Sequence, residues 1–139
     1  MKTVMAFGTF DLLHPGHINF FNQAKKYGDC LIAIIARDST VKRLKGKLPL
    51  HNEKQRLEAV KGLKLAAKVI LGSLTDKYAV IKKYRPDLIA LGYDQTHFTE
   101  ELKEQINKLK LHTKVIRLKA FKPKKYKTSI LNKTYGNKS

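Results

Sequence analysis

The chain has 139 residues, a length that suits one domain with a single core and excludes two ordinary domains. Hydrophobic residues make up 42% of it, which excludes wholesale disorder. The formal charge of +18 predicts an anionic partner such as a nucleotide, a phosphorylated metabolite or a nucleic acid, with a solvated lysine-rich surface as the alternative. No apolar run could cross a bilayer, and the lone cysteine, Cys30, fits a reducing compartment, so we expect a cytoplasmic protein without a membrane partner.

Short apolar runs alternate with amphipathic stretches along the chain. The predicted strands are Thr3–Phe7, Leu31–Ala36, Lys68–Leu71, Asp87–Leu91 and Lys114–Leu118. The predicted helices are Gly16–Tyr27, Asn52–Leu63, Asp76–Tyr84 and Glu100–Leu109. Most of the strand runs are continuously apolar, which is typical of parallel strands that are covered on both faces. The alternation therefore predicts βαβ units and a three-layer α/β sandwich.

Helix ends and the tail complete this outline. Asn52 and Thr99 are predicted N-caps, because their side-chain oxygens can accept a hydrogen bond from a first-turn amide. Pro86 is predicted to end the third helix, since the residue before a proline avoids the α conformation. We expect residues 1–139 to form one domain, in which 119–139 is a basic tail with a short helix near Thr128–Lys133.

The connection from the first strand to the first helix carries the strongest motif, Gly8-Thr9-Phe10-Asp11-Leu12-Leu13-His14-Pro15-Gly16-His17. His14 and His17 flank a turn at a helix start, where free amides and the helix dipole favour phosphate. Two imidazoles there can donate hydrogen bonds to a triphosphate and to charge that develops on its α-phosphate. Each histidine taken alone could be a cap or a surface residue, but the joint arrangement favours a nucleotide site.

This motif resembles the signature of the cytidylyltransferase-like nucleotidyltransferases, the His-x-x-His turn that is often His-x-Gly-His. The resemblance covers nearly the whole chain and implies a Rossmann-like domain with five parallel strands. It implies an enzyme that joins a nucleoside triphosphate to a phosphate-bearing acceptor and releases pyrophosphate, with His14 and His17 as catalytic residues. The nucleotide-binding residues that it implies within the motif are Thr9, Phe10, His14, Pro15, Gly16 and His17.

Such a reaction needs in-line placement of two polyanions rather than a general base, because the acceptor phosphate is already a nucleophile. Histidines, lysines and a divalent ion (Mg²⁺ or similar), held mainly by the nucleotide phosphates, would supply the neutralising charge. We expect no protein metal site. Asp11 could be a metal or structural partner, and we favour hydrogen bonds to its own loop.

The resemblance assigns roles to basic residues after the second strand. It implies that Lys42 or Lys45 approaches the phosphates or the acceptor; we take Lys42 as catalytic and Lys45 as acceptor-binding. Arg37 and Arg56 are further candidates for binding the acceptor or its phosphate. A basic surface loop and a helix-surface arginine are the alternatives.

Residues in the second half would complete the nucleotide site. Asp94 resembles the residue that contacts the ribose or base, although it could instead cap a turn. Thr128 and Ser129 lie in a partial form of the family's second signature, which contacts the outer phosphates. Phe121 could pack near the base, with a core aromatic as the alternative.

Among the subfamilies, three segments resemble the archaeal FAD synthases, which transfer AMP from ATP to FMN: Ala36–Gly46, Ile70–Ser73 and Leu91–Thr96. Glycerol-3-phosphate cytidylyltransferases share the first motif but typically have a tryptophan where this chain has Gln95, so CTP with an alcohol phosphate is the second expectation. A basic single-stranded nucleic-acid-binding module that uses the tail is the alternative from another class. Family members are often dimers, which leaves a homodimer open.

Overall fold

A computed structural model describes residues 2–74, 78–92 and 99–118 of the chain. The strands are β1 (Thr3–Gly8), β2 (Cys30–Ile35), β3 (Lys68–Leu71), β4 (Leu88–Leu91) and β5 (Lys114–Arg117). The helices are α1 (Pro15–Lys25), α2 (Asp38–Lys45), α3 (Glu53–Gly62), α4 (Ala79–Tyr84) and α5 (Thr99–Lys108). The five predicted strands are confirmed, each bound lying within one residue of its predicted position.

The strands form one parallel sheet in the order β3-β2-β1-β4-β5. Successive residues of a strand point to opposite faces, so β1 sends Val4 into one core cluster and Met5 into the other. The first cluster also contains Phe21 of α1, and the second contains Leu102 of α5. The three-layer α/β sandwich is therefore confirmed. The chain order reverses between β1 and β4, which places the β1–α1 loop where open parallel sheets bind ligands.

One helix, α2, corrects the prediction that a loop follows the second strand. Its acidic residue, Asp38, lies in the first turn and its basic residues lie in the last, as the helix dipole favours. Gly46 ends the helix in the left-handed conformation, with φ of 82°. Only Val41 of this helix is buried and Leu44 is exposed, so two apolar residues in a short segment were too few to indicate a helix.

The helix ends agree with most of the predicted caps. Asn52 and Gln55 form a capping box before α3, and α4 ends at Tyr84, ahead of Pro86. Thr99 differs, because it lies inside α5 rather than at its N-cap. The predicted tail and its helix lie outside the described residues. Among the helices within the described ranges, none is long and apolar enough to cross a bilayer.

The end of β1 is tightly packed. Phe10 has a positive φ of 54°, a conformation that costs a non-glycine residue roughly 1–2 kcal/mol. Its ring lies over Gly8, where an added Cβ would be 2.5 Å from Phe10 Cζ. The space left by the missing Gly8 side chain is therefore filled by the chain's own phenylalanine.

We expect Gly8→Ala to lower the free energy of unfolding by about 2 kcal/mol, because the new methyl group must displace a buried ring. Gly62→Ala is the matched control, since an added Cβ there meets nothing within 4 Å and alanine favours a helix, so it should stabilise by about 0.5 kcal/mol. Urea unfolding measures both. Equal effects of the two substitutions would contradict the packing argument.

Candidate active site

Two histidines build the start of α1 at the point where the strand order reverses. His14 is the N-cap, and its Nδ1 accepts a hydrogen bond from the Gly16 amide at 3.0 Å. In return, His17 Nδ1 accepts one from the His14 amide at 3.3 Å. This reciprocal arrangement is a capping box in which imidazoles replace the usual hydroxyl and carboxylate oxygens.

The capping bonds determine which ring nitrogen carries the proton. A nitrogen that accepts from an amide is unprotonated, so each neutral ring carries its hydrogen on Nε2. The amides of His17 and Ile18 donate to the His14 carbonyl, at 2.9 and 3.3 Å. Within residues 14–18, every backbone N–H thus has a partner in the protein. The amides of this turn are therefore not free, contrary to the expectation, since each has a partner inside the protein.

Aromatic packing from the core supports the histidine pair. The centroids of the two imidazoles are 4.1 Å apart, and the ring of Phe10 meets His17 edge-on at 5.6 Å. Phe10 also packs on Phe21 of α1, with ring centroids 4.9 Å apart. Only 5% of Phe10 is exposed, so this residue, which the resemblance implies binds the nucleotide, packs in the core with an edge contact to His17.

Both histidines are held in the neutral form. Burial lowers the pKa of His14 below its usual value of 6.5. Burial lowers the pKa of His17 further, to about 4, and the charges of His14 and Lys45 lower it in the same direction, while a hydrogen bond to the Leu12 carbonyl opposes them. Both rings are therefore neutral near pH 7.

Three segments converge on Arg56, of which only 1% is exposed. Its Nη2 lies 2.7 Å from Asp38 Oδ1, its Nη1 donates to the Thr9 carbonyl at 2.9 Å, and its Nε donates to the His51 carbonyl at 3.0 Å. All three nitrogens are thus used inside the protein. Arg56 was expected to bind the acceptor, with a helix-surface position as the alternative; instead it joins the β1–α1 loop to α2 and α3.

A second set of contacts fixes the start of α2 against α3. Arg37 donates from Nη1 to Glu53 Oε2 at 2.8 Å and from Nε to the Gly72 carbonyl at 2.7 Å. The other carboxylate oxygen of Glu53 accepts from the Asp38 amide at 2.9 Å. Arg37, another predicted acceptor ligand, therefore has two of its three nitrogens engaged. Asp38 and Glu53 were not among the residues predicted from the sequence, although isolated acids in so basic a stretch were an available signal.

Asp11 binds a distant loop rather than its own, which corrects the favoured expectation. Its Oδ2 accepts from the Leu50 amide at 2.7 Å, and its Oδ1 accepts from the His51 amide at 2.8 Å. The His51 ring nitrogen Nδ1 lies 2.9 Å from the Asp11 carbonyl oxygen. In the part of the chain that the structure describes, no group of three or more His, Cys, Asp or Glu residues could hold a metal ion.

The structure describes some of the other predicted site residues. Pro15 and Gly16 form the first turn of α1, beside the two histidines. Lys42 and Lys45 are exposed and lie three positions apart on α2, which puts them on one face of that helix. The remaining predicted nucleotide ligands lie outside the described residues: Asp94, Phe121, Thr128 and Ser129.

Acid should destabilise the fold through His17. Because its pKa is lowered in the folded state, the unfolded chain takes up a proton first as the pH falls below 6.5, and stability is lost down to about pH 4. The loss from His17 should approach about 3 kcal/mol. His17→Asn keeps an acceptor near Nδ1 and removes the titration. Urea unfolding at several pH values should show a smaller acid loss in this variant; identical pH profiles would contradict the assignment.

Removal of the buried guanidinium should be costly. Arg56→Met should lower the free energy of unfolding by about 3 kcal/mol, because Asp38 and two carbonyl oxygens lose their partner. Arg43→Met, on the exposed side of α2, should change it by less than about 0.5 kcal/mol. Urea unfolding measures the difference, and two equally small effects would show that Arg56 does not join these segments.

Comparisons with known proteins show the family to which the chain belongs. The family model described as cytidylyltransferase-like matches residues 5–133. The chain is 46% identical over 134 residues to the FAD synthase of Aciduliprofundum boonei, covering 96% of this chain and 86% of that protein. It is 46% identical over 118 residues to the FAD synthase of Methanohalophilus mahii, covering 85% and 82%.

Solved structures agree with the fold. A protein of Thermoplasma volcanium described as a lipopolysaccharide core biosynthesis protein matches with a TM-score of 0.82 and 42% identity, covering 88% of this chain and 99% of that one. The pantoate–β-alanine ligase of Francisella tularensis matches with a TM-score of 0.65 at 16% identity, covering 88% and 60%, and shows the shared fold alone. The chain belongs to the cytidylyltransferase-like family and is a nucleotidyltransferase.

Proposed function

We propose that the enzyme transfers AMP from ATP to FMN and releases FAD and pyrophosphate. The observation that carries this proposal is the pair of neutral, capped imidazoles at the carboxyl edge of β1, whose Nδ1 atoms accept backbone amides and whose hydrogens are therefore on Nε2. The similarity to two archaeal FAD synthases supports FMN as the acceptor.

The reaction is an in-line displacement at the α-phosphorus of ATP. A phosphate oxygen of FMN forms a new bond to that phosphorus, the bond to the bridging oxygen of the β-phosphate breaks, and pyrophosphate leaves with the electron pair. The attacking phosphate is already ionised at neutral pH, so no base is required. His14 and His17 donate hydrogen bonds to the oxygens on which charge develops, and the His17 Nε2–H exchanges the Leu12 carbonyl for one of these oxygens. Because the capping bonds fix both rings, little further reorganisation is needed.

Lysines supply the positive charge that the neutral histidines do not. The charge of Lys45 lowers the pKa of His17, and Lys42 shares the helix face of Lys45. Both side chains are exposed and flexible enough to follow two polyanionic substrates. Lys45 would neutralise phosphate beside the histidines, and Lys42 would meet the outer phosphates or the acceptor.

A divalent ion fits this site only as a companion of the phosphates. The carboxylates of Asp11, Asp38 and Glu53 already accept hydrogen bonds from amides or arginines. The described residues thus leave the ion to the nucleotide, where Mg²⁺ or a similar ion would neutralise charge on the departing pyrophosphate.

The decisive experiment is pyrophosphate release by the full chain with Mg²⁺, with ATP or CTP crossed against FMN or glycerol 3-phosphate. Turnover with ATP and FMN alone is expected. Turnover with CTP and glycerol 3-phosphate alone would replace the proposal with cytidylyl transfer. Silence in all four combinations would overturn both.

The histidine donors can be tested without disturbing the helix start. His14→Asn and His17→Asn each retain a capping acceptor and lose the Nε2–H donor, so each should lower kcat by about 10²–10³-fold, as loss of an oxyanion-type donor does. The matched control is His112→Asn, an exposed histidine ahead of β5 at the amino edge of the sheet. Steady-state kinetics should show normal activity for this control. A similar loss in all three variants would contradict the assignment.

A further inference from the structure

Exposed apolar side chains cluster beside the site. Within the described ranges, the large hydrophobic residues that are exposed are Ile18, Tyr27, Leu44, Leu48, Leu50 and Leu74. Three of these lie within seven consecutive residues, with exposed fractions of 56%, 59% and 66% for Leu44, Leu48 and Leu50. Single exposed leucines are ordinary, but a cluster of them marks a binding surface. We call these three residues the leucine cluster.

The segment that bears the leucine cluster is anchored to the histidine loop. It begins at the end of α2, where Gly46 donates to the Lys42 carbonyl at 2.8 Å, and ends where the Leu50 amide donates to Asp11. Asp11 precedes His14 by three residues. The cluster is therefore held beside the loop that carries the histidines.

Two exposed lysines lie among the leucine cluster along the chain. Lys45 follows Leu44 directly in the chain, and its ammonium group acts on His17. Lys47 precedes Leu48 and is also exposed. An apolar surface that adjoins cationic groups at a phosphate site complements a ligand with a flat apolar ring at one end and a phosphate at the other.

We propose that the leucine cluster binds the isoalloxazine ring of FMN. This inference rests on the proposed function and adds the surface that recognises the acceptor. Of the two substrates, FMN carries the larger apolar ring system, and its ribityl chain separates that ring from the attacking phosphate. The ring lies on the leucines while the phosphate reaches Lys45 and the histidine pair, so the same segment selects the acceptor and delivers it.

The test compares equilibrium binding of FMN and of riboflavin, which has the ring without the phosphate, by flavin fluorescence on the full chain. Leu48→Ser and Leu50→Ser should each weaken both ligands about tenfold, the amount expected when roughly 50 Å² of apolar contact is lost. Lys45→Gln should weaken FMN and leave riboflavin unchanged. Tyr27→Ser, half-exposed after α1 at the opposite edge of the sheet, is the control and should change neither.

The leucine substitutions should preserve the fold, because the side chains are exposed and serine keeps the Leu50 amide that Asp11 binds; urea unfolding verifies this. Unchanged flavin affinity in both variants would overturn the proposal, as would weaker ATP binding in place of weaker flavin binding. A fall from dimer to monomer in light scattering with flavin affinity unchanged would assign the cluster to a second copy of the chain. The proposed function has its own test: it is refuted if the unsubstituted enzyme forms no FAD. If that enzyme forms FAD and the leucine variants bind flavin normally, only the ring contact is refuted.

Discussion

The buried guanidinium of Arg56 is the constraint on which the site depends. Burying a charged group costs free energy unless its N–H groups form hydrogen bonds inside the protein. Here each nitrogen of the guanidinium donates to its own acceptor. Those acceptors come from the β1–α1 loop, from α2 and from the connection before α3. Since the arginine is satisfied only when all three segments meet, the position of the α2 lysines relative to the histidines is a consequence of burying one cation.

Two neutral histidines are more stable in this arrangement than two charged ones would be. An imidazolium pair whose centroids are 4.1 Å apart would repel itself in the absence of substrate, and its protonated Nδ1 atoms could no longer accept the capping amides. The fold instead separates two tasks. In the proposed reaction the histidines would provide directed Nε2–H donors, and the exposed lysines on α2 would provide charge that adapts to the substrate.

The sequence predicts the parts of this protein that depend on local pattern. The strands were predictable because continuous apolar runs are typical of a covered parallel sheet. The turn with both histidines at the start of α1 was predictable because its residues are adjacent in the chain. What the sequence did not reveal depends on contacts across the fold. The burial of Arg56, the distant partners of Asp11 and the packing of Phe10 under His17 all depend on which segments meet. The helix α2 was missed because it buries a single side chain.

The contacts of Asp11 and Arg56 also bear on the order in which the protein is made. They join residues 9–11 to residues 50–56, so the loop with both histidines meets its supports only after about forty further residues have been added. Bringing residues 9–11 and 50–56 together costs chain entropy. The pairing of β1 with β2, which lies between them in the chain, must first offset that cost. A nascent chain therefore carries its signature motif well before that motif has the surroundings that hold it in working geometry. Synthesis past α3 is the step that completes this part of the site.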